Sequence, residues 1–201
     1  MRQRFISAIV VGIAVGTIAS MAAEDKPQVT AKPTAPLATP TETKLIADFE
    51  ARVQAYHDLR DKVDEGAARQ TKTHDPAKLK AQRQALAANV VKARAGAKPG
   101  DIFTPEIQVF FKRLLKPAVT EPSPADAKAN KNTIKEEDPK VQLKVNTPYP
   151  EGEPLSTMPP DVLTQLPKLP SNLEYRFVRK HLILYDARAN LIIDFIFNAI
   201  P

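Results

Sequence analysis

The chain has 201 residues, a net charge of +6 and no cysteine. That length bounds it to one domain or two small ones, and the missing thiols exclude disulfides, thiolate metal sites and attachment through a lipidated cysteine. Nineteen prolines are present, eleven of them between Pro117 and Pro170, so that region cannot be a run of ordinary helices or central strands.

The N-terminus reads MRQRFISAIVVGIAVGTIASMAAED. Arg2 and Arg4 give a basic start, an apolar run follows, and small residues end it before Glu24. Residues 1–22 are therefore predicted to be a secretory signal peptide cleaved near Ala22. The alternative is an uncleaved anchor, since Phe5 to Ala23 spans 19 residues. The expected location is the periplasm or cell envelope. Removal of Arg2 and Arg4 leaves a charge of +4, enough for a weak attraction to an anionic membrane surface. Residues 23–41, rich in Ala, Pro, Thr and Lys, are predicted to be a disordered tether.

Residues 42–116 are predicted to be helical. Leu45, Ile46, Phe49, Val53, Tyr56, Leu59 and Val63 make one apolar stripe on a first helix over 42–65, capped by Thr41 or Thr43 and closed by Gly66. A second helix over 76–95 starts on Asp75-Pro76, carries Leu79, Leu86, Val90, Ala93 and Ala97, and ends on Gly96. The two form an expected antiparallel hairpin. Pro99-Gly100 then turns the chain, Thr104-Pro105-Glu106 opens a third helix, and Ile107, Phe110, Phe111, Leu114 and Leu115 face one way before Lys116-Pro117 stops it.

Residues 117–140 read as a flexible linker and 141–201 as a Pro-rich strap followed by a small antiparallel sheet. Val141, Leu143 and Val145 alternate as in a short strand, and a helical turn is expected over 161–166. The strap carries Tyr149, Leu155, Met158, Leu163, Leu166 and Leu169, too apolar for a free linker, so it is expected to wrap its own domain. LEYRFV, HLILYD and LIIDFIF are the strands. Strict alternation places Leu191, Ile193, Phe195 and Phe197 on one face and leaves Asp194 on a partly wet one. Helix three is the expected cover, and the predicted class is α+β.

The phrases YHDLRDKVDEG, LAANVVKARAGAKPGDIFTPEI, YPEGEPLSTMPPDVLTQLPKLP and LEYRFVRKHLILYDARANLIIDFIFNAIP together resemble a family of exported bacterial proteins with no established activity. The likeness spans Phe49 to Pro201 without 118–140, and it implies no catalytic or cofactor residue. The family has a glycine after YRFV where this chain has Arg179, which predicts a looser first turn here. The closing hairpin also resembles the end of small periplasmic proteins of nickel and cobalt homeostasis.

Glu50, His57, Asp61 and Asp64 share one flank of the first helix and are the candidate metal ligands, with His74 able to join if the loop folds back. A single helix spreads such a row over about 21 Å, whereas a metal needs convergence. The competing assignment is a solvated flank with an Arg60–Asp64 pair. Residues 67–98 hold eight Lys or Arg against one acid, Asp75, but the cations make no stripe and no aromatic interleaves them, which disfavours nucleic acid. Ser123, Ser156 and Ser171 lie in Pro-rich surroundings, His181 has no local carboxylate, and the Glu136-Glu137 pair lies in the linker. The expectation is a non-enzymatic exported protein without cofactor, acting on an unknown envelope protein or by self-association. Periplasmic metal binding is the alternative.

Overall fold

Each long helix begins where a side-chain oxygen meets otherwise unpaired backbone N–H groups. A computed structural model describes residues 39–66, 74–120, 141–158 and 160–201. The expected signal peptide, nearly all of the tether and the linker over 121–140 lie outside the described residues. Helix α1 (Pro40–Gly66) starts earlier than expected. Thr39, rather than Thr41 or Thr43, caps it: its Oγ1 accepts from the Glu42 N–H at 3.2 Å, and Glu42 Oε2 accepts from the Thr39 N–H at 2.8 Å. With Pro40 in the first helical position, this reciprocal box outcompetes the later threonines.

Helix α2 (Pro76–Ala93) has the expected Asp75 cap, and Arg94 rather than Gly96 ends it, its N–H still bonded to Val90. The left-handed glycine of this loop is Gly100, at φ +91. Helix α3 (Pro105–Thr120) runs through Pro117. A proline removes one backbone donor, but near a helix end that leaves few bonds to lose, so the stop expected at Pro117 does not occur.

Five antiparallel strands follow, β1 (Thr147–Pro148), β2 (Ser156–Thr157), β3 (Leu173–Val178), β4 (His181–Asp186) and β5 (Leu191–Ile196), in the order β1-β5-β4-β3-β2. The class is α+β, as the sequence predicts. The strap supplies both outer strands, so each edge of the central three-stranded meander is partly closed by a two-residue strand, which limits edge pairing. Between them lies Tyr149 of the strap, and a one-turn helix, α4 (Pro160–Leu163), follows β2. The stretch Val141–Val145 is irregular rather than a strand.

The sheet is covered on both faces. On one, Leu173, Tyr175, Phe177, Leu182, Leu184, Leu191 and Ile193 share a core with residues of α1, α2 and α3, and with Met158, Val162 and Leu166 of the strap. On the other, Val178, Ile183, Tyr185, Ile192 and Phe195 pack under Val145 and Tyr149, flanked by Val141, Leu143 and Leu155. The cover therefore comes from all three long helices on one face and from the first part of the strap on the other. The described residues form one compact unit. Leu79 and Ala93, assigned to the buried stripe of α2 by spacing, are exposed, while Ala97 packs toward the second core.

Strict alternation fails inside β5. Leu184 pairs with Asp194 while Tyr185 pairs with Ile192, so Ile193 is an extra residue. This bulge switches the parity of the strand. Phe195 joins the second core and Ile196 the first, and Phe197 lies past the strand end, half exposed. Asp194 is then not on a wet face. It is fully buried.

The β3–β4 turn is tight, with Val178 paired to His181 across Arg179-Lys180. The looser turn expected from the missing glycine is not formed. Arg179 instead takes φ +55, a left-handed conformation that costs a side-chain-bearing residue about 1–2 kcal/mol. Arg179→Gly is therefore expected to stabilise the chain by about 0.5–1 kcal/mol after the larger unfolded-state entropy of glycine is counted. Urea denaturation of R179G beside R179A checks it: equal midpoints for the two variants would contradict the strain.

Candidate functional site

Three side chains of the Arg, Lys, Asp and Glu type are buried among the described residues: Arg60, Asp186 and Asp194. A buried charge is tolerated only with partners, and the partners here come from different layers of the fold. The first cluster is built on Asp194. Its Oδ2 accepts from the N–H groups of Ile102 (2.9 Å) and Phe103 (2.8 Å), and its Oδ1 from those of Gly100 (3.0 Å) and Phe195 (2.9 Å). The backbone of the α2–α3 loop thus closes around one carboxylate, an internal version of an anion-holding nest. Gly100 opens this loop with its positive φ, and an added Cβ there would stand 3.5 Å from the Phe103 carbonyl oxygen. The loop sequence KPGDIFTPE therefore serves to wrap Asp194 before α3 starts.

Arg94 completes that corner. Its guanidinium lies 5.1 Å from the centre of the Tyr56 ring and donates to Asn146 Oδ1 at 2.8 Å and to the carbonyl of the bulged Ile193 at 3.3 Å. Asn146 answers by donating to the Arg94 carbonyl at 2.8 Å. Burial pulls the Arg94 guanidinium down from its ordinary value, and Tyr56 and the nearby Asp194 and Asp101 carboxylates oppose that pull. The end of α2, the start of the strap and the bulge of β5 meet at this one side chain.

The second cluster is built on Asp186 at the end of β4. Its Oδ1 accepts from the N–H groups of Arg188 and Ala189, both at 2.9 Å, which fixes the β4–β5 turn. Its Oδ2 accepts from the Tyr56 hydroxyl at 2.6 Å and faces Arg60 Nη1 at 3.6 Å. Burial, reinforced by the Asp186 charge, pushes the Tyr56 phenol up, so it stays a neutral donor. Arg60 also donates to the Ser171 carbonyl and to Asp61 Oδ1. Two positions one helical turn apart on α1, Tyr56 and Arg60, thereby tie the helix to the sheet. The Arg60–Asp64 pair expected from spacing does not form, because Arg60 points inward and Asp64 pairs with Arg188.

The candidate metal ligands are not brought together. His57 Nδ1 lies 3.5 Å from Asp61 Oδ2, but Arg60 holds the other Asp61 oxygen and Arg188 engages Asp64. Glu50 is exposed two turns away, and His74 is exposed beside the α2 cap. No group of three or more His, Asp or Glu suited to a metal occurs among the described residues. His181 is half-buried; its Nδ1 accepts from the Asn198 N–H at 3.0 Å and its ring meets the edge of Phe197. Burial, with Arg179 and Lys180 nearby, holds the His181 imidazole below its usual value. Ser156 lies in β2 and Ser171 is exposed at the turn before β3.

Sequence reasoning about chemistry passed over Arg60, Arg94, Asp186 and Asp194. The signal available was a lone carboxylate inside the apolar run LIIDFI, which marks either a wet face or a buried acceptor with many donors. No helix of the described residues is long and apolar enough to cross a membrane. No protein-family model matches the chain, and no curated protein or solved structure gives a significant match.

Proposed function

We propose that the chain is an exported, non-enzymatic protein of the periplasm or envelope, with a structural or partner-binding role. The observation that carries this is the use made of its buried carboxylates. All four oxygens of Asp186 and Asp194 are occupied by internal donors, eight contacts in all counting the Arg60 ion pair, so they hold layers together and are not poised as acid or base. The basic, signal-like N-terminus supports export. The apolar stripes of α1 and α3 are taken up by the chain's own sheet, and both sheet edges carry strap strands. These contacts favour the polar outer faces of α1 and α2 over an open edge as the surface offered to a protein. In α2, exposed Lys78, Lys80, Arg83 and Lys92 suit an acidic partner or weak attraction to an anionic surface.

In-cell crosslinking with mass spectrometry on fractionated envelopes tests this. The expected result is a mature chain starting after Ala22, in the envelope fraction, joined through lysines of α2 to a reproducible neighbour. Recovery of the intact leader in the cell interior, or of only uncrosslinked chain, would overturn the proposal.

A further inference from the structure

We propose that the groove between the second half of the strap and β3 binds a single-chain anionic amphiphile. Its hydrocarbon chain would lie on Met158, Leu163, Leu166 and Leu169, and its head against Lys168. The groove has a volume of about 530 Å³, within the range of small-molecule sites. Its lining is apolar except for Lys168, Glu174 and Arg176.

Three features show that the groove is built into the fold. First, Tyr175 forms part of its floor, and its hydroxyl donates to the Pro167 carbonyl at 3.0 Å, while its ring packs with Phe49 and Phe111. The strap is thereby pinned beside the groove by a residue anchored in the core. Second, the single turn of α4 sends Val162 into the core, and Leu166 beyond its end is buried too, yet the outward Leu163 is also apolar, is 49% exposed, and lines the groove. Third, the charges at the rim are unequal. Glu174 and Arg176 pair with each other. Lys168 is exposed, makes no ion pair among the described residues, and lines both the groove and a second depression that Glu50 and Gln54 also line. The groove thus offers an apolar bed with one uncommitted cation at its mouth, which complements a hydrocarbon chain ending in a carboxylate or phosphate.

Isothermal titration of the full chain with laurate, below its micelle concentration, tests the assignment. One-site saturable binding is expected. Leu163→Asp should weaken it at least tenfold. Lys168→Glu should weaken laurate at least tenfold and leave dodecanol unchanged. Both positions are exposed, and unchanged thermal melts of the two variants would show that the fold is kept. A free fatty acid and a lysophospholipid present the same chemistry; laurate and lauroyl-lysophosphatidylglycerol titrated in parallel identify the source, and saturable binding of either supports the groove. Absence of saturable heat with both would overturn the proposal. So would unaltered affinity in L163D, or binding of dodecyltrimethylammonium as tight as that of laurate.

Discussion

Replacing Asp194 with alanine is expected to lower the unfolding free energy by about 4 kcal/mol, read as a shift in the urea midpoint. Four backbone N–H groups lose their acceptor at once, and each orphaned buried donor costs about 1–3 kcal/mol before local relaxation and hydration recover part of it. For a folded unit of this size the loss corresponds to a fall of about 8–16 °C in Tm. Asparagine should rescue little. Each carboxylate oxygen accepts from two N–H groups, so the amide nitrogen would face a pair of donors with no acceptor to give, and D194N is expected to lose more than 2 kcal/mol. An aspartate on a wet sheet face would behave differently, with D194A falling within about 0.5 kcal/mol of the parent. The two outcomes are far enough apart for a single denaturation experiment to separate them.

Phe111→Ala is expected to cost about 4 kcal/mol by the same measurement. Phe111 is fully buried and stands at the centre of an aromatic cluster, with ring centroids of Phe49, Phe103, Tyr175 and Phe110 at 5.0, 5.3, 5.9 and 6.1 Å. Truncation removes transfer free energy and leaves a cavity that rigid neighbouring rings cannot collapse into, which places it in the range of about 3–5 kcal/mol for a buried Phe, with tilted and edge-on ring pairs contributing further. Val109, two positions away on α3 and 70% exposed, provides the control: V109A should change stability by less than about 0.5 kcal/mol. A loss below about 1 kcal/mol for F111A would mean that α3 does not pack on the sheet as described. The two large effects should also couple. Phe103 donates its N–H to Asp194 and presents its ring to Phe111, so the double variant is expected to depart from additivity by more than about 0.5 kcal/mol.

The parts of this fold legible in the sequence are those encoded locally. The three strands of the meander, the Asp75-Pro76 and Thr104-Pro105 helix starts and the face of α3 all follow from periodicity and caps within a few residues. What was not legible depends on distant neighbours. LIIDFI reads as an alternating strand, but it is buried on both faces, so apolar residues occupy both parities and a bulge at Ile193 leaves no trace in the pattern. Asp194 looks solvated because three of its four donors, the Gly100, Ile102 and Phe103 amides, sit more than ninety residues earlier in the chain. Arg60 looks like one more charge on a helix flank, although the groups that accept it are Asp61 beside it and Ser171 and Asp186 far along the chain. The strap was legible as apolar and therefore internal; that it crosses one face and reaches both edges was not, since two-residue strands carry no periodicity.

The same contrast governs function. Residue types with chemical potential in the sequence, such as the Glu50–Asp64 flank, are separated or already paired with arginines in the fold. The buried polar groups that do converge are committed to joining layers. Among the described residues, a polar helical surface and an apolar groove beside the unpaired Lys168 stay accessible.

Sheet carboxylates lock the helical layer in place, and native-state hydrogen exchange reads that lock at the Ile102 and Phe103 amides, which Asp194 holds. Both N–H groups lie in an irregular stretch before α3, where exchange would ordinarily be fast. In the parent chain they are expected to exchange only through global unfolding, with the same free energy as the central strands, and in D194A to exchange rapidly while β4 stays protected. Rapid exchange of both amides in the parent chain would contradict it.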